Sequence, residues 1–344
     1  MDTTRVIAHR GASGWAPEHT ETAVRLAAQL GADAVEPDLV ASRDGVLVVR
    51  HDNELGETTD IASRPEFADR RRTQTIDGTE LTGWFVEDFT WSELATLRTR
   101  ERLPQLRPAS ARRDGADPIL RFTDLLAIAD ETGLDVVAEL KHPSHHAAIG
   151  LPLDAMLADA LARTRWIAPG ALTVESFEES ALHQVRALGV DARLVYLMEA
   201  DGTAPDLRLA DDAAGPDASA PTYAAPTCAA PTYAGPTYAE QRTDTALARL
   251  ARRVDAISVA KSVLFEPGSG GLRTSDLVER ARAAGLGTIT WTLRPENAFL
   301  EPAHRLGEHP AAWGDWQREW MLLAELGLEA VFVDHPELWR RIER

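Results

Sequence analysis

The chain has 344 residues, 44% hydrophobic and 26% charged, with 36 Lys and Arg against 54 Asp and Glu for a formal net charge of −18. That length builds one large core or two smaller ones. So acidic a surface repels the phosphates of nucleic acid and of anionic membranes, and neither is expected as a partner. A small anionic substrate stays open, because local cations or a bound metal can reverse the field inside one pocket. The single cysteine, Cys228, excludes a disulfide framework and a multi-cysteine metal site. No apolar run approaches the roughly 18 residues that cross a bilayer, so no stable membrane insertion is expected. The opening "MDTTRVIAHRG" has no basic region followed by an apolar stretch, and a cytoplasmic protein is the expectation.

Short apolar runs rich in β-branched residues recur along the chain: "RVIAH" (5–9), "DAVEPDL" (33–39), "LDVVAELK" (134–141), "ALTVESF" (171–177), "ARLVYLM" (192–198), "DAISVAK" (255–261), "LGTITWTL" (286–293) and "EAVFVDH" (329–335). Nearly continuous apolar character suits parallel strands covered by helices on the outside. Helical patterns follow at 20–31, 121–133, 176–189, 274–285 and 315–327, each ending at a glycine. In the third, Ser176 with Glu179 three residues on reads as a capping box. Eight β-then-α units predict an α/β fold of the (β/α)8 barrel type, formed by residues 1–344 as a single domain. The competing doubly wound open sheet carries a glycine-rich phosphate loop after its first strand, and "HRGASG" fits that pattern poorly.

Such a barrel needs roughly 250 residues. The surplus falls in two insertions. Residues 52–118 show little periodicity beyond a turn of helix in "WSELATLRTRE". Residues 200–242 contain "APTYAAPTCAAPTYAGPTYA" (220–239), in which a proline every five residues forbids helix and central strand, so a low-complexity extended loop is expected after the fifth strand. "VLVVRHD" (46–52), joined to the second strand by the turn "SRDG", is expected to be a hairpin extension rather than a ninth barrel strand.

Active sites of these barrels gather at the C-terminal ends of the strands. There the sequence places His9 and Arg10 after the first strand, Glu36 and Asp38 on the second, His51 at the end of the hairpin, and Glu139 and Lys141 on the third. Residues two apart share a strand face, so Glu36 with Asp38, and Glu139 with Lys141, point the same way. Buried side by side, carboxylates repel unless a cation lies between them, and an all-oxygen donor set favours Mg²⁺ or Ca²⁺. Arg10 and Lys141 suit a phosphate anion, and two histidines can move protons near neutral pH. Together these describe hydrolysis of a phosphate ester. Each residue alone has a structural explanation; their convergence on one face favours the chemical one. Trp291 is either core packing or an apolar wall beside the substrate. Phe177 is expected to pack, and Asp334 and His335 to cap the barrel.

The segments "AHRGASGWAPEHTETA", "GADAVEPDLVASRDGVLVVRHDNELGETTD", "VVAELKHP" and "AVFVDHPEL" resemble the glycerophosphodiester phosphodiesterases along nearly the whole chain. The insertion containing "GWFVEDFTWSELATLRTRERLP" is similar to the bacterial branch that includes a periplasmic enzyme. The resemblance implies a metal-dependent barrel that cleaves a small-molecule glycerophosphodiester to sn-glycerol 3-phosphate and an alcohol such as choline or ethanolamine. It implies one divalent cation, Ca²⁺ or Mg²⁺, on Glu36, Asp38 and Glu139, an acid/base pair of His9 and His51, and substrate contacts from Arg10 and Lys141, with Trp291 beside them. Two departures stand out: Pro37 between the acids, which removes a ladder donor and predicts a bend, and the Pro-Thr-Tyr repeat. The alternatives are a related phosphodiesterase acting on lysophospholipids, a barrel that only binds phosphate compounds, and a Mg²⁺-dependent isomerase or lyase. A barrel that only binds would need the cations but not the two histidines.

Overall fold

The computed structural model describes residues 3–164, 170–208, 235–268 and 271–342. Fourteen strands form within them: β1 Arg5–His9, β2 Ala34–Glu36, β3 Asp38–Ala41, β4 Leu47–Val49, β5 Arg72–Ile76, β6 Thr79–Gly83, β7 Asp135–Leu140, β8 Leu172–Ser176, β9 Arg193–Met198, β10 Ala256–Ala260, β11 Phe265–Gly268, β12 Gly271–Thr274, β13 Gly287–Leu293 and β14 Ala330–Val333. The main sheet runs β2-β1-β14-β13-β10-β9-β8-β7 and closes through a β2–β7 pairing, every one of these pairs parallel. This is the expected closed (β/α)8 barrel, on the expected eight strand segments.

The second strand is interrupted at Pro37, which has no amide hydrogen to give to the ladder. β2 pairs with β1 and β7, while β3 continues beside β7 and pairs antiparallel with β4, Leu39 opposite Val49. The bend and the hairpin extension are both present. β4 carries the chain back across the barrel mouth and delivers His51 there.

Alternation along the strands sorts the side chains. Val6, Val35, Val136, Val174, Leu194, Ile257 and Val331 face outward into the main core, where the surrounding helices place Val24, Leu125, Leu157, Leu182, Leu247, Leu277 and Leu323. Residues of the opposite strand face, including Ile7, Ala34, Val137, Val195, Ala256, Ile289 and Ala330, form a second apolar cluster inside the barrel. Two residues further along β1, β2 and β7 this inner face turns polar, at His9, Glu36 and Glu139. The fold thus has an apolar plug below and a chemical layer above.

The helices Glu21–Gln29, Phe122–Thr132, Glu179–Ala187, Leu277–Ala284 and Trp316–Ala324 occupy the five predicted segments. Thr20 caps the first, its hydroxyl accepting from the Ala23 amide at 3.0 Å. Ser176 does not cap the third as the capping-box pattern suggested. It ends β8, donates its hydroxyl hydrogen to the Leu140 carbonyl and accepts from the Glu178 amide, while Glu178 itself occupies the cap position.

The 52–118 insertion holds more structure than its sequence advertises: the exposed ribbon β5–β6, short helical turns, and an apolar cluster of Leu55, Ile61, Phe67, Val86, Phe89 and Leu97 packed on Val40 of β3 and Val48 of β4. Of the loop expected at 200–242, residues 209–234, with Cys228 and most of the repeat, lie outside the described residues, and the end of the repeat starts a helical turn at Tyr238–Gln241. Among the described residues no helix is long and apolar enough to cross a membrane.

Candidate active site

A cavity of about 700 Å³ opens above the polar layer, and every site residue expected from the sequence lines it except Asp38. Strand register builds its floor. Glu36 lies opposite His9, Asp38 opposite Glu139, and Glu139 opposite Glu175. The carboxylates of Glu36, Glu139 and Glu175 each offer an oxygen within 4.8 Å of the others, all three residues buried. Burial, reinforced by Asp38 and Glu175, pushes the Glu36 carboxyl well above its ordinary value. Burial and the Glu139 charge do the same to Glu175. Glu139 is pushed up to about 8 by burial, with Lys141 opposing and Asp38 adding. Glu36 Oε1 and Glu175 Oε2 are buried without a hydrogen-bond partner. Converging buried oxygens that repel one another and lack donors are what a hard divalent cation would satisfy, so the residues present fit the expected ion.

Asp38 is engaged differently. Its Oδ2 meets His19 Nε2 at 2.9 Å and Arg10 Nε at 3.2 Å, and its Oδ1 lies 3.9 Å from Lys141 Nζ. Burial alone would raise its pKa, but Arg10, His51, Lys141 and His19 hold it well below the usual carboxylate range. The tightest acid cluster therefore pairs Glu36 and Glu139 with Glu175, which the sequence alone did not single out. Arg10 is also held by Glu18 at 3.2 Å, and its amide donates to Glu36 Oε2 at 3.0 Å. Lys141 Nζ lies 2.8 Å from Glu139 Oε1 and 5.5 Å from the centre of the Phe177 ring. Phe177, expected to pack, lines the cavity edge-on to Trp291, their centroids 5.7 Å apart.

Each cavity histidine is backed by an aspartate. His9 Nδ1 lies 2.8 Å from Asp334 Oδ1, and His51 Nδ1 lies 2.6 Å from Asp52 Oδ1. An aspartate on Nδ1 fixes the tautomer with the proton there and leaves the opposite nitrogen, Nε2, as the free base. Burial and the nearby Arg10 lower His9 to about 4, and burial with Arg10 and Lys141 lowers His51 to about 3. Both rings are neutral at pH 7. Asp334 was expected to be a structural cap. Instead it accepts from Arg107 and Arg294, each at 2.6 Å, as well as from His9, and these charges hold its carboxyl well below the usual range although burial alone would raise it. His335, by contrast, is packed between Trp15 and Trp313 at 5.0 and 5.3 Å, as expected of a structural residue. The signal for Asp52 was its position directly after His51; Glu175 and the arginines of the insertion gave none in one sequence.

A closed eight-stranded barrel with an acid cluster, the His9–Asp334 and His51–Asp52 pairs, and Arg10 and Lys141 at its C-terminal mouth has the makings of a hydrolytic enzyme. The model of the glycerophosphoryl diester phosphodiesterase family matches residues 9–338, and the chain belongs to that family. It is 30% identical over 336 residues to a glycerophosphodiester phosphodiesterase of Arabidopsis thaliana, covering 95% of this chain and 82% of the relative. A Bacillus subtilis glycerophosphodiester phosphodiesterase is 28% identical over 58% of this chain and 61% of its own length. In fold the chain is similar to a phosphodiesterase from Oleispira antarctica solved with the product sn-glycerol-3-phosphate, at TM-score 0.63 and 20% identity over 99% and 97% of the two chains.

Proposed function

We propose that the chain hydrolyses glycerophosphodiesters to sn-glycerol 3-phosphate and an alcohol. The observation that carries this is the meeting of the His9–Asp334 and His51–Asp52 pairs, a buried carboxylate cluster, and Arg10 and Lys141 around one cavity. Glu36, Glu139 and Glu175 would hold one Mg²⁺ or Ca²⁺, which would neutralise phosphate charge and polarise a phosphate oxygen. Arg10 and Lys141 bind the phosphodiester anion and stabilise the charge that grows on it. Phe177 and Trp291 form an apolar wall for the carbon face of the glycerol. His9 Nε2 takes the proton from the attacking hydroxyl, either water or the substrate's own 2-hydroxyl. His51, once protonated on Nε2 in the substrate complex, gives that proton to the leaving alcohol oxygen. A phosphate anion beside Arg10 and Lys141 offsets the two charges that help depress His51, so substrate binding assists its protonation.

The test is release of glycerol 3-phosphate from glycerophosphocholine by purified protein, with EDTA and then with Mg²⁺ or Ca²⁺ restored. Release that EDTA abolishes and metal restores is expected. A folded protein that releases nothing from this or other glycerophosphodiesters with either metal overturns the proposal.

A further inference from the structure

Two arginines of the insertion reach, from a single turn, the aspartates that back the active-site histidines. Residues 102–107, "RLPQLR", form a compact loop in which the Leu106 and Arg107 amides both donate to the Leu103 carbonyl, at 2.9 and 2.8 Å, and the Leu103 amide donates to the Glu101 carboxylate at 2.8 Å. From one end of this turn Arg102 Nη1 lies 2.6 Å from Asp52 Oδ2, the oxygen that His51 leaves free. From the other end Arg107 Nη2 donates at 2.6 Å to Asp334 Oδ2, the oxygen that His9 leaves free. Each aspartate therefore gives one oxygen to a histidine and the other to an arginine of the same turn. A carboxylate gripped on both oxygens cannot swing, and the imidazole it orients cannot swing either. Arg102 also grips Glu18 with two nitrogens, at 2.9 and 2.7 Å, and Glu18 in turn takes Arg10 at 3.2 Å.

We propose that this turn is a positioning device that sets both catalytic histidines at once, Arg102 acting through Asp52 on His51 and Arg107 through Asp334 on His9. The proposal rests on the reaction proposed above for what the histidines do, but not for where they point. The two arms differ in weight. His9 and Asp334 come from β1 and β14, paired strands of the barrel, and Arg294 shares Asp334 Oδ2 with Arg107. His51 lies beyond β4, outside the closed barrel and less buried than His9, and its ring depends on Asp52 and so on Arg102. Loss of Arg102 thus frees its histidine more than loss of Arg107 frees the other. A barrel that folded well without the turn would keep its cation site and lose its proton-transfer geometry.

The measurement is nitrogen-15 NMR of the ring nitrogens in histidine-labelled protein. The His9 and His51 signals are assigned with His9→Gln and His51→Gln, and Arg102→Gln, Arg102→Lys and Arg107→Gln are compared, each with Mg²⁺ present. In the parent both rings should show protonated Nδ1. Arg102→Gln should blur or shift the His51 pattern toward a mixture of tautomers and leave His9 in place; Arg107→Gln should move His9 only, and less. In parallel, kcat on glycerophosphocholine should fall about 10²-fold in Arg102→Gln with KM little changed, the scale of a small misplacement of a reacting group. Arg102→Lys keeps a cation and the fold but lacks the fork, and should lie between the two. His51 signals unchanged in a folded Arg102→Gln or Arg102→Lys, or both rings moving together in either arginine variant, would overturn the device. Failure of the parent to release glycerol 3-phosphate would instead count against the proposed reaction, since the ring signals are read without turnover.

Discussion

Glu175 shows where a single sequence stops. His9, Arg10, Glu36, His51, Glu139 and Lys141 were legible because they break apolar runs at strand ends or recur at a spacing of two, which fixes their face. Glu175 sits in "TVES" with no partner nearby in sequence, and only the register of β7 against β8 sets it opposite Glu139. Asp38, legible for the same reason as Glu36, is spent largely on Arg10 and His19. If the acid cluster is the cation seat, Glu175→Gln should weaken Mg²⁺ or Ca²⁺ binding at least 10-fold by calorimetry, the usual scale for disturbing a metal's surroundings. Asp38→Asn should weaken it less and raise KM for substrate more, because it frees Arg10. The reverse ranking would restore Asp38 as the principal ligand. The histidines separate by leaving group. His51→Ala should lose about 10²–10⁴-fold in turnover of an alkyl diester, as general acids do, and recover much of it on a p-nitrophenyl ester, whose leaving group needs no proton. His9→Ala should lose as much on both substrates; equal recovery by both variants would refute the division of labour.

At the scale of elements, local chemistry placed the helices and tertiary pairing corrected their edges. The glycine stops were legible because a left-handed residue ends a helix cheaply, as Gly133 does at φ 70°. Ser176 was misread because its hydroxyl could cap a helix but is claimed by the Leu140 carbonyl next door on β7, a contact no local pattern reports. The β5–β6 ribbon was missed because polar residues outnumber apolar ones in it: its strands are mostly exposed and carry little hydrophobic alternation. Thr20 stands at a join that matters, between the His9–Arg10 loop and the first barrel helix. Thr20→Ala should cost about 1 kcal/mol of stability, the usual worth of an N-cap, measured as a lower urea midpoint with unchanged slope. Thr20→Ser should recover most of that loss. If Thr20→Ala leaves the midpoint unchanged, the Ala23 amide finds another acceptor and the cap is dispensable.

Across the whole molecule, the barrel and the insertion are joined both by packing on the β3–β4 hairpin and by a bridge of charge. The insertion's apolar cluster takes in Val40 and Val48 of the β3–β4 hairpin, and Glu18, in the loop after β1, accepts both Arg102 from the insertion and Arg10 from the barrel mouth. Burial alone would raise the Glu18 carboxyl, but Arg102 and Arg10 hold it well below its ordinary 4.5. A carboxyl depressed in the folded state binds fewer protons there than in the unfolded chain. Its contribution is therefore fully present above the unfolded pKa and is lost as the pH falls below it. Glu18→Gln keeps the shape and removes the charge, leaving two half-buried guanidinium groups each one partner short, at a cost of about 1.5–3 kcal/mol near pH 7. The gap between parent and variant should narrow steadily as the pH falls below about 4.5. Carboxyls far from Glu18 titrate equally in both proteins and cancel in the difference, which carries Glu18 together with Asp52 and Glu101, the two that feel its charge. Urea midpoints at pH 7, 5, 4 and 3 measure it. A gap that stays constant over that range would mean that shape, not charge, fastens the insertion to the barrel, and that the arginine turn is held by packing.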